Sequence, residues 1–362
     1  MKARIVIGSN YGDEGKGTVV ASYAKRSVGV LNVLTNGGSQ RGHSILTKDG
    51  SMTFQHFGSG TYYGAGNYYS RFFILNPMQF AKEYETLIVK PSVLYRDKYC
   101  RWSTPYDSMA NIIEEQQLGR TASCCMGIWN TIKRYRSMRT MTIDEFVASD
   151  ENVMYLLEVK AYYESKITIP ESWRNIWDSP FMLDHFINDC RFLCESVKVC
   201  DLKDVFCREM IFENGQGLLL CDTGKDTFDT TPSNTGIRYA AELISELDGV
   251  DEVTAHYVTR PYLTRHGDGA FIGESRRGLI SQYIPEDRTN HYNDCQGEFR
   301  YGFLDIADLY DRILVDVSKI SRVLPLKNFE TVLEVTHCDE MDRVHEFEKY
   351  FPIVKTHNSP FV

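Results

Sequence analysis

The run Gly8-Ser9-Asn10-Tyr11-Gly12-Asp13-Glu14-Gly15-Lys16-Gly17-Thr18 constrains the fold more than any other feature of this chain. It follows Arg4 to Gly8, which reads as a buried parallel strand, and leads into a helical stretch from Lys16 to about Lys25. Val28 to Thr35 then reads as a second strand. This βαβ opening implies an α/β fold: a mostly parallel central sheet flanked by helices, with ligands collecting at the carboxyl ends of the strands. Free amides and the helix dipole make the first turn a place for phosphate.

The loop is related to a P-loop without being one. A Walker A loop has glycine five residues before its Gly-Lys pair, where this chain has Asn10, and the acidic pair Asp13-Glu14 lies inside the loop. Acids there repel phosphate unless a cation intervenes. Two jobs explain Asp13: holding a magnesium ion that bridges phosphates, and accepting a proton from a substrate. Lys16 is then placed to neutralise a transferring phosphoryl group.

Charge and composition narrow the class. The formal charge of −9 disfavours direct nucleic-acid binding through a basic surface, while pockets for nucleotide phosphates remain open to it. With 43% hydrophobic residues in 362, the chain can bury a core without staples. Its ten cysteines are scattered, as in Cys124-Cys125, Cys190, Cys194, Cys200 and Cys207, and read as reduced thiols. The N-terminus builds no signal-peptide apolar region and no segment reaches membrane-spanning length, so the expected location is the cytoplasm, that of a host if the protein is viral.

Residues 80–210 are rich in aromatic, charged and helix-forming residues, with weak amphipathic runs at Thr142 to Tyr163 and Met182 to Val197, and read as a mainly helical insertion. The run Gly217 to Cys221 reads as a return to the sheet, followed by a turn-rich stretch to Gly236 and a helix from Ile237 to Leu247. Val253 to Val258 and Thr331 to Thr336 read as further strands. Without a repeat or a linker, the expected organisation is one domain over residues 1–362.

The consecutive residues Gly12-Asp13-Glu14-Gly15-Lys16-Gly17 resemble the signature loop of adenylosuccinate synthetases, which join L-aspartate to C6 of a purine nucleoside monophosphate at the expense of a nucleoside triphosphate. Other segments follow in the same order. Asn36-Gly37-Gly38-Ser39-Gln40-Arg41-Gly42-His43 is similar to the family's Gly-Gly-Asn-Asn-Ala-Gly-His, with Gln40-Arg41 in place of Asn-Ala. Asn214-Gly215-Gln216-Gly217 resembles its Gly-Ala-Gln-Gly, and Thr230-Thr231-Pro232-Ser233-Asn234-Thr235 its Thr-Ser-Ser-Asn turn. Thr264-Arg265-His266-Gly267-Asp268-Gly269-Ala270-Phe271 is similar to Thr-Arg-Val-Gly-x-Gly-Pro-Phe, and Thr336-His337-Cys338-Asp339 to Thr-Lys-Leu-Asp.

The resemblance implies roles. Asp13, His43 and Lys16 would be catalytic, Asp13 taking the purine N1 proton and His43 acting as general acid at the transferred phosphoryl group. Asn10, Gln40, Thr121, Arg139, Gln216 and Thr231 would hold the substrate nucleotide; Gly12, Glu14, Gly15, Lys16, Gly17 and Thr18 would hold the donor phosphates. Asp339 would read the donor base, Arg300 and Gly297 would grip aspartate, and Asp13 with the Gly42 carbonyl would bind Mg2+. A homodimer with shared sites is implied, in which an arginine of the cluster Lys133 to Arg139 reaches the partner's nucleotide. The early end of the chain after Asp339, through a tail from Pro352 to Pro360 without the expected glycine, looks more like a divergent viral branch that acts on dGMP with ATP than like an enzyme of IMP and GTP. Two rivals from other classes are a nucleotide-dependent switch, which would need the glycine loop but not His43, Gln216 or Arg300, and a nucleotide kinase, which would ignore aspartate.

Overall fold

The computed structural model describes residues 1–358 except 48–49, 223, 225–229, 288–289, 291 and 321–327. Parts of the turn-rich stretch before Gly236, and Ser359-Pro360 at the end of the tail, therefore lie outside the described residues.

Nine strands form the main sheet: β1 (Lys2–Gly8), β2 (Val30–Leu34), β3 (Gly66–Tyr69), β4 (Leu94–Arg96), β5 (Lys198–Val199), β6 (Glu209–Gly217), β7 (Glu252–Thr259), β8 (Phe329–Val335) and β9 (Val354–Thr356). Their order is β5-β4-β3-β2-β6-β1-β7-β8-β9, with every neighbouring pair parallel. The central strands are buried almost end to end, the pattern of parallel strands covered on both faces. From β1 the chain works outward to β5, returns to insert β6 between β2 and β1, and then builds β7 to β9 on the other side. Loops after β1, β2, β6, β7 and β8 consequently meet at one end of the sheet, where its strand order reverses.

The first helix, α1 (Lys16–Arg26), starts at Gly15 without a side-chain cap or an acidic first turn, so its leading amides are not taken up by a cap. The stretch from 77 to 196 holds seven helices. Local chemistry fixes their starts: Asn76 caps Pro77–Thr86, while Thr104 with Asp107, and Thr142 with Glu145, form reciprocal capping boxes. Their apolar faces share a buried core with Ala21 and Leu34 of the α1–β2 region. Inside it Arg134 donates to both carboxylate oxygens of buried Asp107, at 2.8 and 3.0 Å.

Two expectations need correction. The run Thr142 to Tyr163 is two helices, Ile143–Ala148 and Asn152–Glu164, because Ser149-Asp150 interrupts the first. The leucines of Gly217 to Cys221 are not a strand: β6 ends at Gly217, Gln216 takes a positive φ of 56°, and Leu218–Leu220 form a 3-10 turn packed half-buried on the core. The tail, for which no element was expected, adds β9 to the sheet edge through pairing with β8.

Candidate active site

Two cavities open at the carboxyl ends of the central strands. The larger, about 800 Å³, is lined among others by Gly12, Gln40, Arg41, Thr121, Gln216 and Thr231. The smaller, about 300 Å³, is lined by Gly15, Gly17 and Thr18 from the start of α1, by Arg260, and by His337 and Asp339. Asp13, Lys16, Gly42, His43 and Asn290 line both, so the two spaces meet at those five residues. Among the described residues four non-glycines have positive φ, and three of them, Asp13 (61°), Gln216 (56°) and His337 (57°), line these cavities. Backbone held off its preferred conformation concentrates where position matters more than local stability.

Three of the shared residues, Asp13, Lys16 and His43, are braced. The phosphate loop is held from inside by Glu14, which is 1% exposed and accepts from the amides of Asn10 and Gly12 at 2.9 and 3.0 Å and from Lys16 Nζ at 2.8 Å. Thr336, at the end of β8, donates to the Glu14 carbonyl at 2.6 Å, and Arg260, after β7, donates to the Asp13 carbonyl at 2.7 Å. Crowding by protein raises the proton affinity of Asp13, against the opposing pull of His266, Lys16 and Arg260. A carboxylate so placed is suited to accepting a proton.

His43 begins the hairpin His43–Thr47 with Gly50–Phe54. Its Nδ1 lies 2.5 Å from Glu213 Oε1, and Glu213 also accepts from the Ser59 amide at 2.9 Å and hydroxyl at 2.6 Å. Burial, then the charge of Arg41, lowers the His43 pKa to about 4. Burial alone would raise Glu213, but Arg41, His43 and Ser59 together pull it down to about 2. As an ionised acceptor, Glu213 fixes Nδ1 as the donor and leaves Nε2 for other work.

The expected residues separate into two groups. Gln40, Gln216, Thr121 and Thr231 face the large cavity, with Gln40 Oε1 and Nε2 and Gln216 Oε1 buried and without a protein partner. Gly15, Gly17, Thr18 and Asp339 face the small one, and the Thr18 hydroxyl is likewise unpartnered. Others lie elsewhere. The Asn10 side chain is committed to Thr259 and Arg312, both at 2.9 Å, and the Glu14 carboxylate points into its own loop, so neither lines a cavity. Arg300 pairs with Glu274 and the Gly269 carbonyl, both at 2.9 Å. Gly297 packs on Thr121, whose Oγ1 would lie 2.6 Å from a Cβ there. Arg139 is exposed beyond the helix Ile128–Ser137.

Sequence reasoning missed Glu213, although a carboxylate in the buried run Met210-Ile211-Phe212-Glu213 was a readable signal. It also missed Trp129, Arg260 and Arg265 as lining residues. The reading of all cysteines as thiols is corrected as well. Cys125 and Cys295, 170 residues apart and 5.8 Å between Cα atoms, form a disulfide at the rim of the large cavity, a pairing about which spacing says nothing.

Asp13 and Gly42 share the wall where the cavities meet, and a carboxylate with a backbone carbonyl is an oxygen donor set of the kind magnesium takes when other ligands supply the rest. Among the described residues there is no cluster of three or more His, Cys, Asp or Glu that would cage one. No described helix is long and apolar enough to cross a membrane.

Comparison with known proteins adds to this geometry. The family model for adenylosuccinate synthetase matches residues 5–355. An adenylosuccinate synthetase of Borrelia duttonii is 23% identical over 97% of this chain and 85% of its own length, and one of Wolinella succinogenes is 25% identical over 76% and 66%. Among solved structures, the fully ligated adenylosuccinate synthetase of Plasmodium falciparum superposes with a TM-score of 0.70 at 17% identity, covering 95% of this chain and 78% of that one. The succinoaminodeoxyadenylate synthetase of cyanophage S-2L, bound to dGMP and dATP, gives 0.63 at 13% identity, covering 99% and 91%.

Proposed function

This chain belongs to the adenylosuccinate synthetase family of carbon–nitrogen ligases, and from that premise we propose that it joins L-aspartate to C6 of dGMP with ATP as phosphoryl donor, yielding N6-succino-2-amino-2'-deoxyadenylate, ADP and phosphate. The observation that carries the reading is the meeting of two cavities at Asp13, Lys16, Gly42, His43 and Asn290. One space of about 800 Å³ suits a nucleoside monophosphate with aspartate, and the other, at the uncapped start of α1, suits a triphosphate.

In this reading Asp13 accepts the N1 proton and the purine O6 attacks the γ-phosphorus as the bond to the β-phosphate oxygen breaks. Lys16 and the amides of Gly15, Gly17 and Thr18 balance the charge on the transferring group, and His43 assists from Nε2. The amine of aspartate, whose carboxylate would be gripped by Arg300 and Gly297 once Arg300 leaves Glu274, then attacks C6. The C6–O bond breaks, phosphate leaves and the amine gives up its proton. Mg2+, on Asp13 and the Gly42 carbonyl, would neutralise phosphate charge when bound. Gln40, Gln216, Thr121 and Thr231 hold the monophosphate substrate, and Asp339 the donor base. A second copy of the chain completes the site, with exposed Arg139 reaching across.

What favours dGMP is that the residues beside the expected nucleotide and donor pockets, Gln40-Arg41 and His337, are where the chain departs from the family's motifs. The test is phosphate release by purified protein with magnesium, crossing IMP or dGMP with ATP or GTP, with and without aspartate. Release that needs both dGMP and aspartate is expected. Release with IMP alone returns the protein to adenylosuccinate synthesis, and release indifferent to aspartate overturns the reading.

A further inference from the structure

Arg41 is among the largest fully buried side chains of the molecule, yet its Nε and Nη1 have no protein partner. Its Nη2 lies 3.1 Å from Glu213 Oε1, the same oxygen that accepts from His43 Nδ1. The stem reaches that position across Gly215: a Cβ at 215 would lie 2.9 Å from Arg41 Cγ and 3.2 Å from Cδ. Because the stem is enclosed, those atoms have little room to swing away. Arg41 and Gly215 are both departures from the motifs described above, which have alanine at each position, and alanine at 215 is sterically at odds with arginine at 41.

A buried guanidinium with two unmatched donors is a poor device for stability, since a small apolar residue there would avoid its desolvation. Its location points to orientation instead. Glu213 sits behind the His43 ring, and a carboxylate pinned by Arg41 on one side and Ser59 on the other holds the ring with Nδ1–H directed inward and Nε2 outward. We propose that Arg41 and Gly215 form a matched pair that positions His43, Arg41 acting through Glu213 and through its own contact, at 3.3 Å, with His43 Nδ1. Arg41 is thus a positioning residue, and Gly215 is the space that admits it.

This inference rests on the proposed role of His43, and the experiment separates the two. Steady-state kinetics are measured for Arg41→Ala, Arg41→Lys, Gly215→Ala and the double variant Arg41→Ala/Gly215→Ala. In parallel, proton NMR of the ligand-free enzymes follows the hydrogen-bonded His43 Nδ1 proton. Arg41→Ala is expected to lower kcat about 10- to 100-fold, the range found for partners that orient a functional histidine, with KM for all three substrates little changed. Arg41→Lys recovers part of the loss. Gly215→Ala alone is worse than the double variant, because only the single variant sets alanine against the arginine stem. The downfield Nδ1 signal persists in Arg41→Lys and is lost in Arg41→Ala. An Arg41→Ala enzyme that keeps kcat and the Nδ1 signal while only its melting temperature changes makes Arg41 a filler and overturns the proposal. So does a rise confined to the nucleotide KM, which means direct contact with substrate. If the wild-type protein shows no aspartate-dependent turnover, the functional reading fails, while the NMR series still decides whether Arg41 positions His43.

Discussion

Two buried histidine–glutamate pairs sit on this sheet, with the same chemistry and different surroundings. His43 lies 2.5 Å from Glu213, and His256, on β7, lies 2.8 Å from Glu334 on β8. Both glutamates are held ionised and both histidines are pushed toward neutrality by burial. Around His256 the available groups are consumed: Tyr23 and His357 donate to Glu334 at 2.7 and 2.6 Å, and Lys355 donates to Tyr23 at 2.9 Å. His256 lines neither of the two cavities, whereas His43 lines both. A polarised histidine is therefore no sign of chemistry by itself; what separates the pairs is whether a ring nitrogen faces a space that a reactant can enter.

The largest expected effect tests that separation directly. His43→Ala should lower aspartate-dependent phosphate release by about 10²- to 10⁴-fold while the melting temperature changes little, because a general acid is lost at a residue beside a cavity. His256→Ala should do the reverse, leaving turnover per folded molecule intact. Equal losses of turnover from the two, measured on samples matched for folded fraction, would erase the distinction.

Glu334→Ala should come next. It strands His256 and His357 and removes the acceptor of Tyr23, so urea denaturation should show a loss of about 1–3 kcal/mol, the cost of leaving buried donors without their acceptor. Near-native stability would mean that the cluster around Glu334 is not what ties β7, β8 and the tail together.

These pairs also mark how far the sequence could be read. The βαβ opening, the strands near 253 and 331 and the loop residues Asp13, Lys16 and His43 were legible because each is local: a glycine turn between a strand and a helix leaves its pattern in adjacent residues. Partners supplied by other strands left none. Glu213 is 170 positions from His43, Glu334 is 78 from His256, and Cys295 is 170 from Cys125. Short edge strands were invisible for a related reason. Lys198–Val199 and Val354–Thr356 are too brief to show a period and form only against a sheet already present. The leucines after Gly217 misled because an apolar run reports burial, while positive φ at Gln216 decides that the chain leaves the sheet.

A smaller effect sharpens the comparison within the structural pair. His357 keeps partial access to water, so His357→Ala should cost only about 1 kcal/mol by the same denaturation measurement. A loss as large as that of Glu334→Ala would shift the weight of the cluster from the strands to the tail.

A last effect, spread over pH, is one the two pairs share. Burial, with Arg4 and Lys355, holds the folded-state pKa of His256 below its ordinary 6.5 against the pull of Glu334. As pH falls below 6.5 the unfolded chain takes up a proton at this residue that the folded chain refuses. Stability is therefore present above that pH and lost below it, by at most about 1.4 kcal/mol per pH unit until the folded group titrates. His43, at about 4 in the fold, contributes with the same sign. Glu334, held below its ordinary 4.5, adds a second loss as pH falls past that value. Melting temperature followed from pH 7.5 to 5 should thus fall less steeply for His256→Asn than for the wild type, and less still when His43→Asn is added. A wild-type curve that coincides with His256→Asn would mean that His256 carries its proton in the fold, making its bond to Glu334 an ion pair and removing the neutral state that the two histidines are expected to share.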